Sequence, residues 1–179
     1  MDKAIYFNHD DQYRDLCTGA VYRRFLDYAF ARTDFFMLVY ANYNGKGYAN
    51  IMKSFLQALK PFQVKRRCDP SWPGTPATDC PNTTYKIVFY KNCAQAKEIL
   101  GKVDCLSAWT RPFYPQDLAF FKGNQCWFYS VGHEKIAQII HATDEDISFL
   151  EENGLANREN AYIPKNSWFD TYNKVILRD

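Results

Sequence analysis

The chain reads as an α+β or α/β protein built on a mixed sheet. Three features predict this: an N-terminal β-α-β-α pattern, a C-terminal antiparallel meander, and a strand-length run, 35–41, that is apolar throughout. Of its 179 residues 47% are hydrophobic, enough for a substantial core, and 14 Phe, 13 Tyr and 4 Trp make it rich in rings. That composition excludes disordered, collagen-like and coiled-coil classes. No apolar run approaches the length of a membrane-spanning helix.

Lys3–Phe7 reads as a short strand. Asn8, His9, Asp10 and Asp11 follow as cap-forming residues for a helix expected to start near Gln12 and run to Arg32. Its apolar stripe carries Tyr13, Leu16/Cys17, Ala20/Val21, Phe25 and Tyr28/Ala29, with Gly19 the weak point. The second strand, 35–42, is apolar on both faces and is therefore expected to be central. A turn at 42–47 leads to a helix over 48–59, stopped by Lys60-Pro61. Residues 62–67 suit a short exposed strand.

Between Asp69 and Thr83 stand Pro70, Pro73, Gly74, Pro76 and Pro81, a long loop in which Trp72 argues for packing. A strand resumes over 84–90, then a helix over 94–100 with Gly101 near its end. Residues 118–122 and 125–131 around Gly123-Asn124 form the clearest hairpin pattern in the chain. The alternation from 135 to 141 predicts a third strand. Thr143 and Asp146 approximate a capping box, and Gly154-Leu155 marks the end of that helix. The aromatic tail after Asn157 is expected to dock. The whole, 1–179, is expected to form one compact domain, with 69–83 as the possible internal boundary.

The chain start lacks a basic, apolar and small-residue leader pattern, so a cytoplasmic protein with no membrane association is expected. Six cysteines, at 17, 68, 80, 93, 105 and 126, show no Cys-x-x-Cys. Free thiols are the leading expectation, with a disulfide and a metal cluster as alternatives. Neither a metal site nor any other cofactor is predicted.

Charge is segregated. Phe35 to Cys68 holds no Asp or Glu but carries Lys46, Lys53, Lys60, Lys65, Arg66 and Arg67. Glu134 to Glu159 holds seven acids against Lys135 and Arg158. The basic stretch suits phosphates or a nucleic-acid backbone if the fold gathers it on one face. Otherwise it is a solvated surface or pairs with the acidic stretch. Asn44-Gly45-Lys46-Gly47 before a helix has the small residues and the cation of an anion cradle, without the frame of a P-loop or dinucleotide site; an ordinary turn explains it as well.

His9, Asp10 and Asp11 form the other polar cluster. If strands one and two were parallel neighbours, their carboxyl ends would bring it to Lys46. His9 would then transfer a proton, a carboxylate would orient it or hold a cation, and Lys46 would contact phosphate. Helix capping alone also accounts for both aspartates. Trp109 and Trp168, set among polar and turn residues, are the aromatics expected to stay partly exposed as interaction anchors. The leading functional expectation is therefore a non-catalytic intracellular interaction or regulatory protein with a protein partner or a second copy. The alternatives are a small α/β enzyme or nucleotide-binding protein acting on a phosphorylated ligand, and a nucleic-acid binder without sequence preference. No reaction type is specified by the chain.

Overall fold

The computed structural model describes residues 3–76 and 82–165. Seven strands and four helices follow one another among these residues: β1 (Lys3–Tyr6), α1 (Gly19–Arg32), β2 (Phe35–Tyr43), α2 (Asn50–Leu59), β3 (Gln63–Cys68), β4 (Thr83–Lys91), α3 (Ala94–Leu100), β5 (Gln116–Lys122), β6 (Gln125–Val131), β7 (Ile136–Ala142) and α4 (Asp144–Glu152). The strands form one sheet in the order β1-β7-β6-β5-β2-β4-β3. Every pairing is antiparallel. The fold is thus a mixed α/β arrangement on an antiparallel sheet, and the parallel component allowed by the sequence pattern is absent among the described strands.

The N-terminal β-α-β-α order and the β5-β6-β7 meander appear where the sequence placed them. Continuous apolarity put β2 at the centre, and it lies between β5 and β4 with both faces covered: Phe36, Leu38 and Tyr40 are buried on one side, Met37 and Val39 on the other. All four helices contribute to the first core, through Phe25 and Leu26 of α1, Met52 and Phe55 of α2, Leu100 of α3 and Leu150 of α4. Phe120 and Phe128 stack between them, in edge or tilted contact with Phe25.

The second core lies on the opposite face around Met37, Ile87, Phe89 and Phe121. Trp72 seals one end of it, packed against Tyr85 with ring centroids 4.9 Å apart. The turn carrying Trp72 lies so close to the sheet that a Cβ on Gly74 would stand 2.5 Å from the Tyr129 ring, and φ there is +83°. Glycine meets both demands.

Helix α1 corrects the sequence reading. It starts at Gly19 rather than near Gln12. Gly19 has φ +51°, which ends any helix running through it, and Thr18 ahead of it is extended and bridged to Cys105. Of the two aspartates read as helix caps, Asp10 holds a turn instead, and Asp11 is exposed. In contrast, the Thr143–Asp146 capping box is present with both reciprocal bonds. The five described cysteines, at 17, 68, 93, 105 and 126, are thiols outside any disulfide. No helix among the described residues is long and apolar enough to cross a membrane.

Candidate functional site

After Tyr6 the chain leaves β1 and turns back at 10–14 before reaching α1. Asp10 organises this turn. One carboxylate oxygen accepts the Gln12 and Arg14 amides at 3.0 and 2.7 Å, and the other accepts Arg14 Nε at 2.5 Å. The Arg14 amide, chief among these, holds the carboxyl below its usual range. His9 stacks on Tyr13 with centroids 4.3 Å apart, and its Nε2 donates to the Lys135 carbonyl, which places a proton on that nitrogen. Lys135 Nζ returns to the Tyr13 carbonyl at 3.1 Å, and the Tyr13 hydroxyl donates to Glu134 O at 3.2 Å.

Asp15 completes the arrangement by accepting the Cys17 amide at 2.8 Å and the Ser107 amide at 2.6 Å. The cleft beneath, lined by Phe7, His9, Asp15, Ser107 and Lys135 among others, has about 10 Å³, room for a single water. Asp11 points to solvent. Cys17 is buried, and desolvation raises its thiol well above the ordinary range, the opposite of an activated nucleophile. The cluster therefore fastens the 8–18 loop to the β6–β7 turn.

Strand order separates this cluster from Lys46. β1 and β2 run in the same direction but are four strand positions apart, with β7, β6 and β5 between them. At about 4.8 Å per spacing that is roughly 19 Å, beyond hydrogen-bond reach of a shared ligand. Around Lys46, Asn44 and Gly45 take positive φ, Asn42 Oδ1 accepts the Gly47 amide at 2.8 Å, and Asn44 donates to Asn82 O at 3.0 Å. Among the described residues, nothing lies within 4 Å of where a Cβ on Gly45 or Gly47 would stand. Among the described residues the 44–47 segment is an exposed turn.

The cations are likewise spread. Arg66 pairs across with Val88 and Arg67 with Ile87, so alternation directs the two arginines to opposite faces of β3. Arg67 lies 3.5 Å from Asp69. The acidic stretch meets other cations: Asp144 binds Lys3 at 2.9 Å, Glu145 and Asp146 bind Arg32, and Glu151 binds Arg158 at 3.3 Å.

Trp109, expected near the surface, is fully buried. Its indole donates to the Tyr22 hydroxyl at 2.9 Å, which donates in turn to Leu100 O at 3.2 Å. A long apolar ring with one satisfied donor fits a core as well as a surface, and the turn-rich neighbourhood misled. Trp168 lies outside the described residues.

Exposed apolar groups occur instead at Ile51 (40%), Val64 (48%) and Phe113 (63%). Ile51, Ser54, Phe55 and Ala58 of α2 line a groove of about 280 Å³ with Ile99, Lys102 and Tyr114. The α2 positions follow i, i+3, i+4 and i+7, one continuous stripe beside the one that faces the core. The signal was present in the sequence, because α2 carries more apolar positions than a single buried face requires. Among the described residues no three His, Cys, Asp or Glu side chains converge on a metal-sized site.

These features define an antiparallel α+β protein with an apolar surface groove and with its polar clusters hydrogen-bonded internally. Comparison with protein-family models, with curated proteins and with solved structures found no match.

Proposed function

We propose that the protein is a non-catalytic interaction protein that receives an apolar side chain of a partner in the α2–α3 groove. The observation that carries this reading is the groove itself. Phe55 is its buried lining residue, Ile51, Ile99 and Tyr114 add apolar surface, and the small side chains of Ser54 and Ala58 leave room between them. A bulky anchor inserted there removes its own surface and that of the walls from water, worth about 25 cal/mol per Å² of apolar area. Lys102 is the one charged lining residue among those described, so the matching partner carries a carboxylate beside its anchor.

The polar clusters support the same reading from the other side. Asp10, Asp15 and His9 each hold backbone groups of this chain. Their hydrogen bonds position a loop, and among the described residues these three groups line no more than a water-sized cleft.

Two measurements test the proposal. Sedimentation velocity across a range of concentrations asks whether a second copy is the partner. Selection from a displayed random peptide library, run on the wild type and on Ile51→Glu, asks whether a foreign segment is. Ile51 is exposed, so the substitution leaves the core intact. The expected result is self-association or a peptide consensus with an apolar anchor, weakened at least tenfold by Ile51→Glu. A monomer that selects no ligand sensitive to Ile51 overturns the proposal.

A further inference from the structure

The last residue of α1, the β5–β6 turn and the start of α4 come together at one end of the meander. Between them lies a cleft of about 220 Å³, lined by Arg32, Lys122, Gln125, Trp127, Thr143 and Asp146. Cys126 and His141 also border it, but both are engaged with other groups of the chain. The volume is below the roughly 300–1,000 Å³ of sites for drug-sized molecules, which limits an occupant to a small one.

One of the two cations in this cleft is held in place from behind. Asp146 is 1% exposed, and its carboxylate accepts the Thr143 amide and hydroxyl, both at 2.8 Å, and the Tyr28 hydroxyl at 2.9 Å. So fixed, it anchors Arg32, whose Nε lies 3.5 Å from Asp146 Oδ1 and whose Nη2 pairs with Glu145. The Tyr28 ring supports the guanidinium, with its centroid 4.3 Å from Cζ. Arg32 is therefore an oriented charge, not a free one. Its pairs occupy one edge of the planar fork, and Nη1 enters neither of them. Lys122 stands on the hairpin, exposed, and forms no ion pair among the described residues. The Gln125 side chain beside it adds an amide donor.

Charge decides what the cleft can hold. Arg32 and Asp146 compensate each other in its wall, and Lys122 leaves one positive charge over. Glu145, with a side chain 75% exposed, is screened by solvent. A single carboxylate matches that balance, whereas a phosphate dianion would bring surplus charge towards Asp146 and Glu145.

We propose that this cleft binds a small organic carboxylate, its oxygens shared between Lys122 Nζ and Arg32 Nη1 and its apolar body beside Trp127. Asp146 is the positioning residue that aims the guanidinium. The site shares no lining residue with the α2–α3 groove.

The test titrates the full, ¹⁵N-labelled chain with benzoate, with acetate, with benzamide as the uncharged counterpart of benzoate, and with inorganic phosphate. Binding is read by NMR at the Trp127 indole N–H and at the Gln125 and Thr143 amides. Saturable shifts of these signals are expected with benzoate or acetate, and none with benzamide. Lys122→Gln, at an exposed position, is expected to weaken carboxylate binding about five- to tenfold with an unchanged melting curve, and Ile51→Glu is expected to leave it unaltered. The proposal is overturned if neither carboxylate gives a saturable shift. Equal binding of benzamide overturns it too, because charge would then play no part, as does undiminished binding by Lys122→Gln. Tighter binding of phosphate than of either carboxylate also overturns it, because the site would then be built for a higher charge.

Discussion

Replacing Asp117 by Ala should be among the most damaging single changes in the chain, although the residue lies outside every sequence-level motif. Asp117 is 1% exposed and sits at the start of β5 with φ +59°. One carboxylate oxygen accepts the Trp72 indole at 2.7 Å and the other accepts the Gly132 amide at 3.0 Å. Thr75 Oγ1 lies at 3.4 Å, too far to count for much. Alanine leaves both strong donors buried without an acceptor, at about 1–3 kcal/mol each. It also puts a residue without a polar side chain in the left-handed region, about 1–2 kcal/mol. Relief of a desolvated carboxylate offsets part of this, for a net loss of about 3–5 kcal/mol against a typical total of about 5–15 kcal/mol.

Urea unfolding at pH 7 measures the loss, and acrylamide quenching of Trp72 should rise as its turn loosens from the sheet. Asp117→Asn keeps the shape, tolerates positive φ and retains one acceptor, so it should fall between the wild type and Ala. The pH dependence provides a second reading. Burial is the largest influence on this carboxyl and raises its pKa above the ordinary value of 3.8. The folded state then holds its proton more tightly than the unfolded chain. This contribution to stability is therefore complete below the unfolded value and is lost as pH rises through the folded one. The disadvantage of Asn relative to wild type should accordingly shrink across that rise. An Ala variant within 1 kcal/mol of wild type, with unchanged Trp72 quenching, would refute the reasoning.

Two further expectations are sharp. The Tyr40 and Tyr90 hydroxyls share a buried hydrogen bond of 2.8 Å, so Tyr40→Phe should cost about 1–2 kcal/mol and the Tyr40→Phe/Tyr90→Phe pair less than the sum of the singles. A double-mutant cycle by urea unfolding measures the coupling; strict additivity contradicts it. Gly132→Ala would place a Cβ 2.1 Å from the Trp109 carbonyl, which forces the backbone apart. A loss of roughly 2 kcal/mol or more in the same assay is expected, and an unchanged midpoint contradicts it.

Local chemistry was legible in the chain wherever neighbours in sequence are also neighbours in space. Helix α3, the capping box of α4 and the β5–β6 hairpin each depend on residues within a few positions of one another, and all three were read correctly. So was the central place of β2, because an uninterrupted apolar run needs cover on both faces. The start of α1 was misread because aspartates satisfy turn amides as readily as helix amides, and the choice at Asp10 and Asp15 is made by Arg14 and by Ser107, the latter 92 positions away.

Strand order belongs to the tertiary structure. Nothing in β1 or β2 records that three strands, all later in sequence, come between them, yet that insertion separates His9 from Lys46. Burial of Trp109 and the carboxylate of Asp117 likewise depend on Tyr22, Trp72 and Gly132, which only the folded chain brings to them. Sequence determined which segments become strands or helices and which of their faces are apolar, because those follow from periods of two and 3.6 residues. The fold alone decided which polar groups are hydrogen-bonded internally and which apolar positions of α2 line a surface groove, because backbone pairing is indifferent to distance along the chain.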